Sequence, residues 1–113
     1  MNKRKGSSHV IVTNQLPYSL LWRVIEREIQ PICNQNNIGL ICYSPLMQGL
    51  LTGRYKTADD VPEGLARIRL YSNKREMAKH DDPGCETEVF DALKEIQIIS
   101  EEIEHPMAAV ALA

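Results

Sequence analysis

Hydrophobic positions along the first half of the chain form two short runs that are typical of β-strands. The β-branched run Val10–Thr13 has the length and composition of a buried strand, and Asn14 and Pro17 are expected to end it. The second run, residues 38–44, is nearly all apolar and is the clearest strand in the chain. A run of this kind predicts cover on both faces, as in parallel sheets, and Pro45 ends it.

Between the two strands, apolar residues recur at helical spacing. The pattern predicts a helix over Arg27–Asn36, in which Pro31 is acceptable only within a first turn. Strand, helix and strand in this order form a βαβ unit. Because parallel strands need such a crossover, the sequence predicts an α/β protein.

The second half of the chain begins with a long stretch that has no sustained period. Residues 47–80, called the lid segment below, contain scattered glycines, prolines and basic residues, which is typical of a functional lid or a disordered connection. A helix is predicted next, beginning at Asp82-Pro83 or near Thr87, with Glu86 on its wet face. A further helix is expected over Met107–Ala113. The apolar stripe of the first of these helices contains Val89, Phe90, Leu93, Ile96, Ile99 and Ile103.

Charge and composition exclude several classes of function. The 113 residues include 13 Lys+Arg and 15 Asp+Glu, a net charge of −2, which gives no broad attraction to nucleic acid or anionic lipid. No window approaches the roughly 18 apolar residues of a membrane span. The three cysteines are odd in number and widely spaced, so we expect reduced thiols in a cytoplasmic protein. Residues 1–8 are expected to be a loose terminus or, alternatively, a basic docking arm, with the folded part beginning at residue 9.

Candidate chemistry lies where the strands end, since ligands of parallel α/β proteins bind at the carboxyl ends of their strands. Gln15 offers an amide donor and a carbonyl acceptor, which suit a carboxamide ligand; the alternative is a residue that caps the turn before Pro17. Tyr43 could lie flat against a planar heterocycle, or could simply pack. Ser44 and the loop 49–53 supply a hydroxyl and exposed amides suited to a pyrophosphate, although ordinary turns look alike.

Common catalytic and metal-binding constellations are missing from the sequence. It contains no phosphate-loop lysine, no Gly-x-Gly-x-x-Gly and no Gly-x-Ser-x-Gly. The histidines are far apart, so no metal site is expected. Tyr18 and Tyr55 could each donate a proton, but neither has a Lys–Asp partnership at fixed spacing that would lower the pKa of its phenol.

Four segments of the sequence together resemble a known protein family. The strings Asn14–Arg23 (NQLPYSLLWR), Pro31-Ile32-Cys33, Ile38-Gly39 and Tyr43–Tyr55 (YSPLMQGLLTGRY) closely resemble the aldo-keto reductase family in order and spacing. The resemblance covers about Val10 to Ala113 and is strongest to the bacterial branch that shares a loop and fold with potassium-channel β-subunits.

The resemblance implies a (β/α)8 barrel, of which this chain would hold about strand six to helix seven and the start of the next helix. It also implies reduction of a small aldehyde or ketone with a nicotinamide cofactor, usually NADPH. Gln15 would bind the nicotinamide carboxamide and Tyr43 would stack on the ring. Arg54, with Arg67 or Arg69, could face the pyrophosphate. The phosphate-proximal loop would comprise Ser44, Leu46, Gln48, Gly49, Leu50, Thr52 and Gly53.

By the same resemblance, the family's catalytic Tyr, Asp, Lys and His come from strands that this chain does not contain. A barrel of this class has about 250 residues and eight strands. We therefore expect a barrel fragment, residues 9–113, that is inactive alone. Three interpretations stay open: a truncated reductase, a split reductase completed by another chain, and a non-catalytic interaction module. The partner chains considered are a complementary barrel fragment and, by self-association, a second copy of this chain.

Overall fold

The computed structural model describes residues 10–113. Two parallel strands and three α-helices make up most of its regular structure: β1 Thr13–Pro17, α1 Ile29–Gln35, β2 Gly39–Tyr43, α2 Glu86–Glu102 and α3 Met107–Leu112. Short 3₁₀ turns lie at Val24–Glu26, Met47–Thr52 and Ala58–Asp60. The loose segment predicted for residues 1–8, and the start of the folded part at residue 9, lie outside the described residues.

The predicted βαβ unit is confirmed, with β1 and β2 paired in parallel and α1 between them in the chain. The first strand, however, was predicted too early, because pairing begins where Thr13 meets Gly39 and continues to Pro17 opposite Tyr43. Pro17 is therefore the last residue of β1 and not a residue beyond its end. A proline is accepted there because β1 lies at an edge of the described sheet, where its missing N–H leaves no ladder bond unmade.

The predicted cover on both faces of the second strand is wrong for the described residues. Ile41 is 51% exposed and Tyr43 is 47% exposed. The apolar composition of β2 suits a strand enclosed by neighbours, but the described sheet has only two strands and open edges on both sides.

The main hydrophobic core lies away from the sheet. The lid segment, predicted to be a lid or disordered, is folded and supplies much of this core, including Leu51, which is fully buried. Helices α2 and α3 close the core with Phe90, Leu93 and Met107. The other buried members of the cluster are Met47, Leu50, Val61, Ala66, Leu70, Tyr71 and Val89.

Helix α2 begins at Glu86, close to the later of the two predicted starts. Gly84 has φ +77°, so the chain turns sharply before the helix and no helix runs on from Asp82. The first half of the predicted apolar stripe is buried, whereas Ile99 and Ile103 are each 49% exposed. The stripe is therefore longer than the core that covers it. None of the described helices is long and apolar enough to cross a bilayer.

Candidate functional site

The register of the sheet places Gln15 and Tyr43 on one face. Gln15 pairs with Ile41 and Pro17 pairs with Tyr43, and side chains two apart on a strand point to the same side. Both Gln15 and Tyr43 are exposed. A planar ring lying on Tyr43 would therefore have the Gln15 amide on its own side of the sheet.

The backbone after β2 is unusually bent. Ser44, Met47 and Gln48 have φ values of 54°, 46° and 55°, in the left-handed region that non-glycine residues rarely adopt. Each such residue costs on the order of 1–3 kcal/mol and persists only where the surroundings hold it. Here the buried side chains of Met47, Leu50 and Leu51 hold the bend. The adjoining Gly49, at φ 96°, completes this turn without strain of its own.

A cavity of about 420 Å³, called the lid pocket, opens beside the ends of the strands. Ser44 and Gln48 line it from the bent loop, together with Arg67 and Arg69 from the lid segment. The remaining lining residues are Pro17, Trp22, Met47, Ile68, Lys79 and His80. No carboxylate is among them, so the pocket is a positively charged cavity with an apolar floor.

Only one of the lid pocket's cations has an ion-pair partner among the described residues. Nε of Arg69 lies 3.3 Å from a carboxylate oxygen of Asp82, and both side chains are largely exposed. An exposed pair of this kind is weak and leaves the guanidinium available to other anions. The arrangement can therefore bind a negatively charged ligand.

Other predicted site residues lie elsewhere. Arg54 is exposed and sits over the ring of Tyr55, 5.2 Å from its centroid, and it does not line the lid pocket. Thr52 uses its hydroxyl to donate a 2.7 Å bond to the Gly49 carbonyl. Leu46 is partly buried against the core, which leaves mainly its backbone for a ligand.

Leu50 and Gly53 line a second cavity, of about 400 Å³, between the bent loop and helices α2 and α3. The Leu50 side chain is 2% exposed. At Gly53 a Cβ would lie 2.7 Å from Oε1 of Gln97, so glycine permits this close approach. The loop predicted as one binding element is thus divided between two cavities.

The two tyrosines considered as proton donors are not arranged for that role. The Tyr18 hydroxyl donates a hydrogen bond to Glu26, which raises the pKa of Tyr18 and makes it a weaker acid. Arg23 and Tyr18 together lower the pKa of Glu26. Tyr55 faces the second cavity. In the described part of the chain, no group of three histidines, cysteines or carboxylates could hold a metal ion. His9, one of the three histidines in the sequence, lies outside that part.

Lys79 and His80 are the polar residues of the lid pocket that the sequence does not indicate. They follow the charged run from Lys74 and have no periodicity that marks them as neighbours of Ser44. The only signal was the excess of basic residues in the lid segment. The folded lid segment places both residues in the same pocket as Ser44 and Gln48.

A sequence model of the Aldo/keto reductase family matches residues 2–113. The chain belongs to this family. Among its curated relatives, "NADH-specific methylglyoxal reductase" of Escherichia coli (strain K12) is 35% identical over 99 residues, which is 88% of this chain and 27% of the relative. The aldo-keto reductase yakc, NADP(+), of Schizosaccharomyces pombe is 40% identical over 65 residues, or 55% of this chain and 19% of the relative. "Probable pyridoxal reductase 2" of the same yeast is 39% identical over 64 residues, 56% of this chain and 19% of the relative.

The chain thus spans about a quarter or less of the length of these relatives. Aldo/keto reductases are oxidoreductases that fold as (β/α)8 barrels and act on carbonyl substrates with a nicotinamide cofactor. The described βαβ unit and its helices are a partial α/β piece of such a barrel, with two parallel strands and no closure. At family level, therefore, the resemblance that the sequence suggested is confirmed.

Proposed function

We propose that this chain provides part of the nicotinamide dinucleotide site of an aldo/keto reductase that reduces small aldehydes or ketones. The observation that supports the proposal most directly is the shared sheet face of Gln15 and Tyr43, next to a cationic pocket lined by Ser44 and Gln48. A nicotinamide dinucleotide has the same order of parts, with an aromatic carboxamide at one end and a diphosphate beyond it.

The residues fit such a ligand chemically. The Gln15 amide can both donate to and accept from a carboxamide, and Tyr43 offers half of its surface to a flat ring. The diphosphate would lie against Ser44 and the arginines of the lid pocket, where bidentate guanidinium contacts to phosphate oxygens are favourable. When bound, the cofactor supplies the hydride for the carbonyl carbon, and these residues hold and orient it.

Among nicotinamide dinucleotides we propose NADPH, following the usual preference of the family. The printed names of the relatives include both NADP(+) and NADH, so NADH is the essential comparison. Titrating the full chain with each reduced cofactor, and following the fluorescence of Trp22 and of the cofactor, tests binding directly. Trp22 is the single tryptophan and lines the lid pocket, so a ligand there changes its surroundings.

We also propose that the isolated polypeptide does not reduce carbonyl compounds. Carbonyl reduction needs an acid aimed at the developing oxyanion, and the two candidate phenols are a hydrogen-bonded Tyr18 with a raised pKa and Tyr55 in the second cavity. The test incubates purified chain with NADPH or NADH and an aldehyde panel that includes methylglyoxal and pyridoxal. Turnover above a blank without protein would refute the proposal.

A second candidate is a subunit of a split reductase that another chain completes. The open edges of the two-stranded sheet and the exposed Ile41 and Tyr43 favour it, because unpaired strands and apolar faces are suited to pairing. Co-expression with a polypeptide that contains the preceding barrel strands tests it. Recovery of a one-to-one complex with reductase activity supports this candidate, and separate elution of the two chains contradicts it.

A further inference from the structure

The lid pocket contains one side chain whose polar atoms are left unsatisfied. Both ring nitrogens of His80 are shielded from solvent and have no hydrogen-bond partner among the described residues. A buried polar group without a partner costs about 1–3 kcal/mol, so such groups are uncommon unless they have a further role. His80 forms part of the pocket wall, so a rotation of its side chain brings a ring nitrogen to the pocket.

The surroundings of His80 determine which ligand chemistry fits. The charged groups that line the pocket with it are Arg67, Arg69 and Lys79, all cationic. Two carboxylates flank the pocket: Asp82, which contacts Arg69, and Asp81, which follows His80 in the chain. Ser44 and Gln48 add a hydroxyl and an amide. These side chains are hydrogen-bond donors, and no carboxylate lines the pocket to repel an anion. Such a set suits a phosphate group, because each donor can bind a negatively charged phosphate oxygen.

We propose that His80 is a phosphate-binding residue of the lid pocket, acting beside Lys79 and the two arginines. The ring turns from its covered position so that a nitrogen donates to a phosphate oxygen, and this contact satisfies a group that otherwise stays unpaired. The identity of the phosphate rests on the proposed function: it belongs either to the cofactor's diphosphate or to a phosphorylated carbonyl substrate. The anion site itself does not depend on that choice.

This role makes the environment of the His80 ring dependent on an anion. A ring N–H that turns into the pocket and donates to an anion oxygen changes the surroundings of the ring protons. A merely structural His80 keeps its covered position when an anion binds, so the NMR resonances of its ring protons do not move.

The first experiment titrates the full chain with sodium sulfate, whose charge is constant near neutrality, at fixed ionic strength and follows Trp22 fluorescence. We expect saturable sulfate binding that moves the NMR resonances of the His80 ring protons. His80→Gln should weaken this binding about threefold or more. His105→Gln is the matched control, since His105 is exposed and outside the pocket.

Each outcome decides the proposal. Sulfate binding that is absent, or that leaves the ring-proton resonances of His80 unmoved in the unmodified chain, overturns it, and so does equal binding in His80→Gln. If His80→Gln loses its circular dichroism spectrum, the exposed Lys79→Gln takes its place. That variant should weaken sulfate binding about threefold or more, and bound sulfate should still move the ring-proton resonances of His80. Equal binding in Lys79→Gln overturns the proposal.

A second experiment identifies the phosphate and separates this inference from the proposed function. NAD⁺ and glyceraldehyde 3-phosphate are titrated into the chain and into His80→Gln. Weaker binding of NAD⁺ assigns His80 to the cofactor, and weaker binding of the aldehyde assigns it to the substrate. Sulfate binding through His80 without any dinucleotide binding refutes the proposed function alone. Binding of both the dinucleotide and the phosphorylated aldehyde that is unaffected by His80→Gln refutes this inference alone.

Discussion

Arg75 and Glu86 form a two-pronged ion pair. Nε and Nη2 of the guanidinium lie 2.9 and 3.0 Å from the two carboxylate oxygens, and the Arg75 side chain is only 13% exposed. Asp59 lies 3.0 Å from the same guanidinium, and the Ser72 amide donates to Glu86. The pair therefore joins the lid segment to the first turn of α2.

Glu86→Gln should destabilise the fold by about 2 kcal/mol, because it leaves a mostly buried guanidinium without its main charged partner. The measurement is the free energy of unfolding in urea. Glu95→Gln, an exposed change in the same helix, is the control and should stay within about 0.5 kcal/mol. Equal losses in both variants would show that helix charge, and not the ion pair, matters.

Acidification should release the same contact. Hydrogen bonds from Arg75 lower the pKa of Glu86 below its ordinary value, with a smaller contribution from the Ser72 amide. The contribution to stability is therefore complete above the ordinary carboxylate pKa and is lost as the pH falls through the lowered pKa of the folded chain. Unfolding free energies from neutral pH to about pH 3 should fall less steeply for Glu86→Gln than for the unmodified chain. Parallel curves would contradict this account.

Gly84→Ala should prevent normal folding. The residue has φ +77°, and a Cβ would lie 2.4 Å from the carbonyl carbon of Tyr71. Because that atom belongs to the backbone, it cannot move away without a large cost in energy. The expected loss is about 3 kcal/mol or more, measured by thermal unfolding. Gly64→Ala is the matched control, since a Cβ at that position would have no atom within 4 Å, and it should be neutral or slightly stabilising. A tolerated Gly84→Ala would show that this turn can rearrange.

Tyr71 should resist ionisation in the folded chain. Burial raises its pKa from 10.0 to about 12, against a smaller opposing effect of Arg75, whose guanidinium carbon is 5.8 Å from the ring centroid. The stability that depends on a neutral Tyr71 is complete below about pH 10 and is lost as the pH rises toward about 12. Absorbance titration of tyrosinate should lose one late-titrating group in Tyr71→Phe. An unchanged titration would place the late group elsewhere.

Tyr43→Ala should weaken binding of the reduced nicotinamide cofactor about tenfold, through loss of a stacking surface worth on the order of 1.4 kcal/mol. Cys42→Ala is the control, because Cys42 is exposed on the opposite face of the same strand. Gln15→Leu should likewise weaken binding of the cofactor, and Asn14→Leu is its control, because Asn14 lies on the opposite face of β1. Cofactor fluorescence measures all four affinities. Equal effects on both faces would refute the assignment of the site to the face of Gln15 and Tyr43.

The elements with strong local patterns were predictable. The apolar run of β2 and the first part of the stripe in α2 each have the hydrophobic period and the stop signals of their element. The βαβ order could therefore be predicted from the sequence. β1 was misplaced because Val10–Val12 has better strand composition than Thr13–Pro17, whereas the register with β2 decides the pairing. Tertiary pairing overrode local propensity at this position.

The lid segment could not be predicted in the same way. Its buried residues Val61, Ala66 and Leu70 have no common period, because 3₁₀ turns and loops bury side chains irregularly. Glu86 looked like one more carboxylate of a wet helix face until Arg75, eleven positions away, became its partner. The roles of Gln15 and Tyr43 stay predictions that rest on the resemblance and on their shared face.

Because the main core is separate from the sheet, the two regions of the chain should unfold at different free energies. The described molecule measures 66 × 37 × 21 Å, and its radius of gyration of 18.8 Å exceeds the roughly 13 Å of a compact domain of this size. Amide hydrogens of β1 and β2 should exchange with deuterium well before those around Leu51 and Phe90, since the strands can separate while the packed region stays intact. A protease would accordingly cut the strand region first and leave a resistant remnant of the lid segment with α2 and α3.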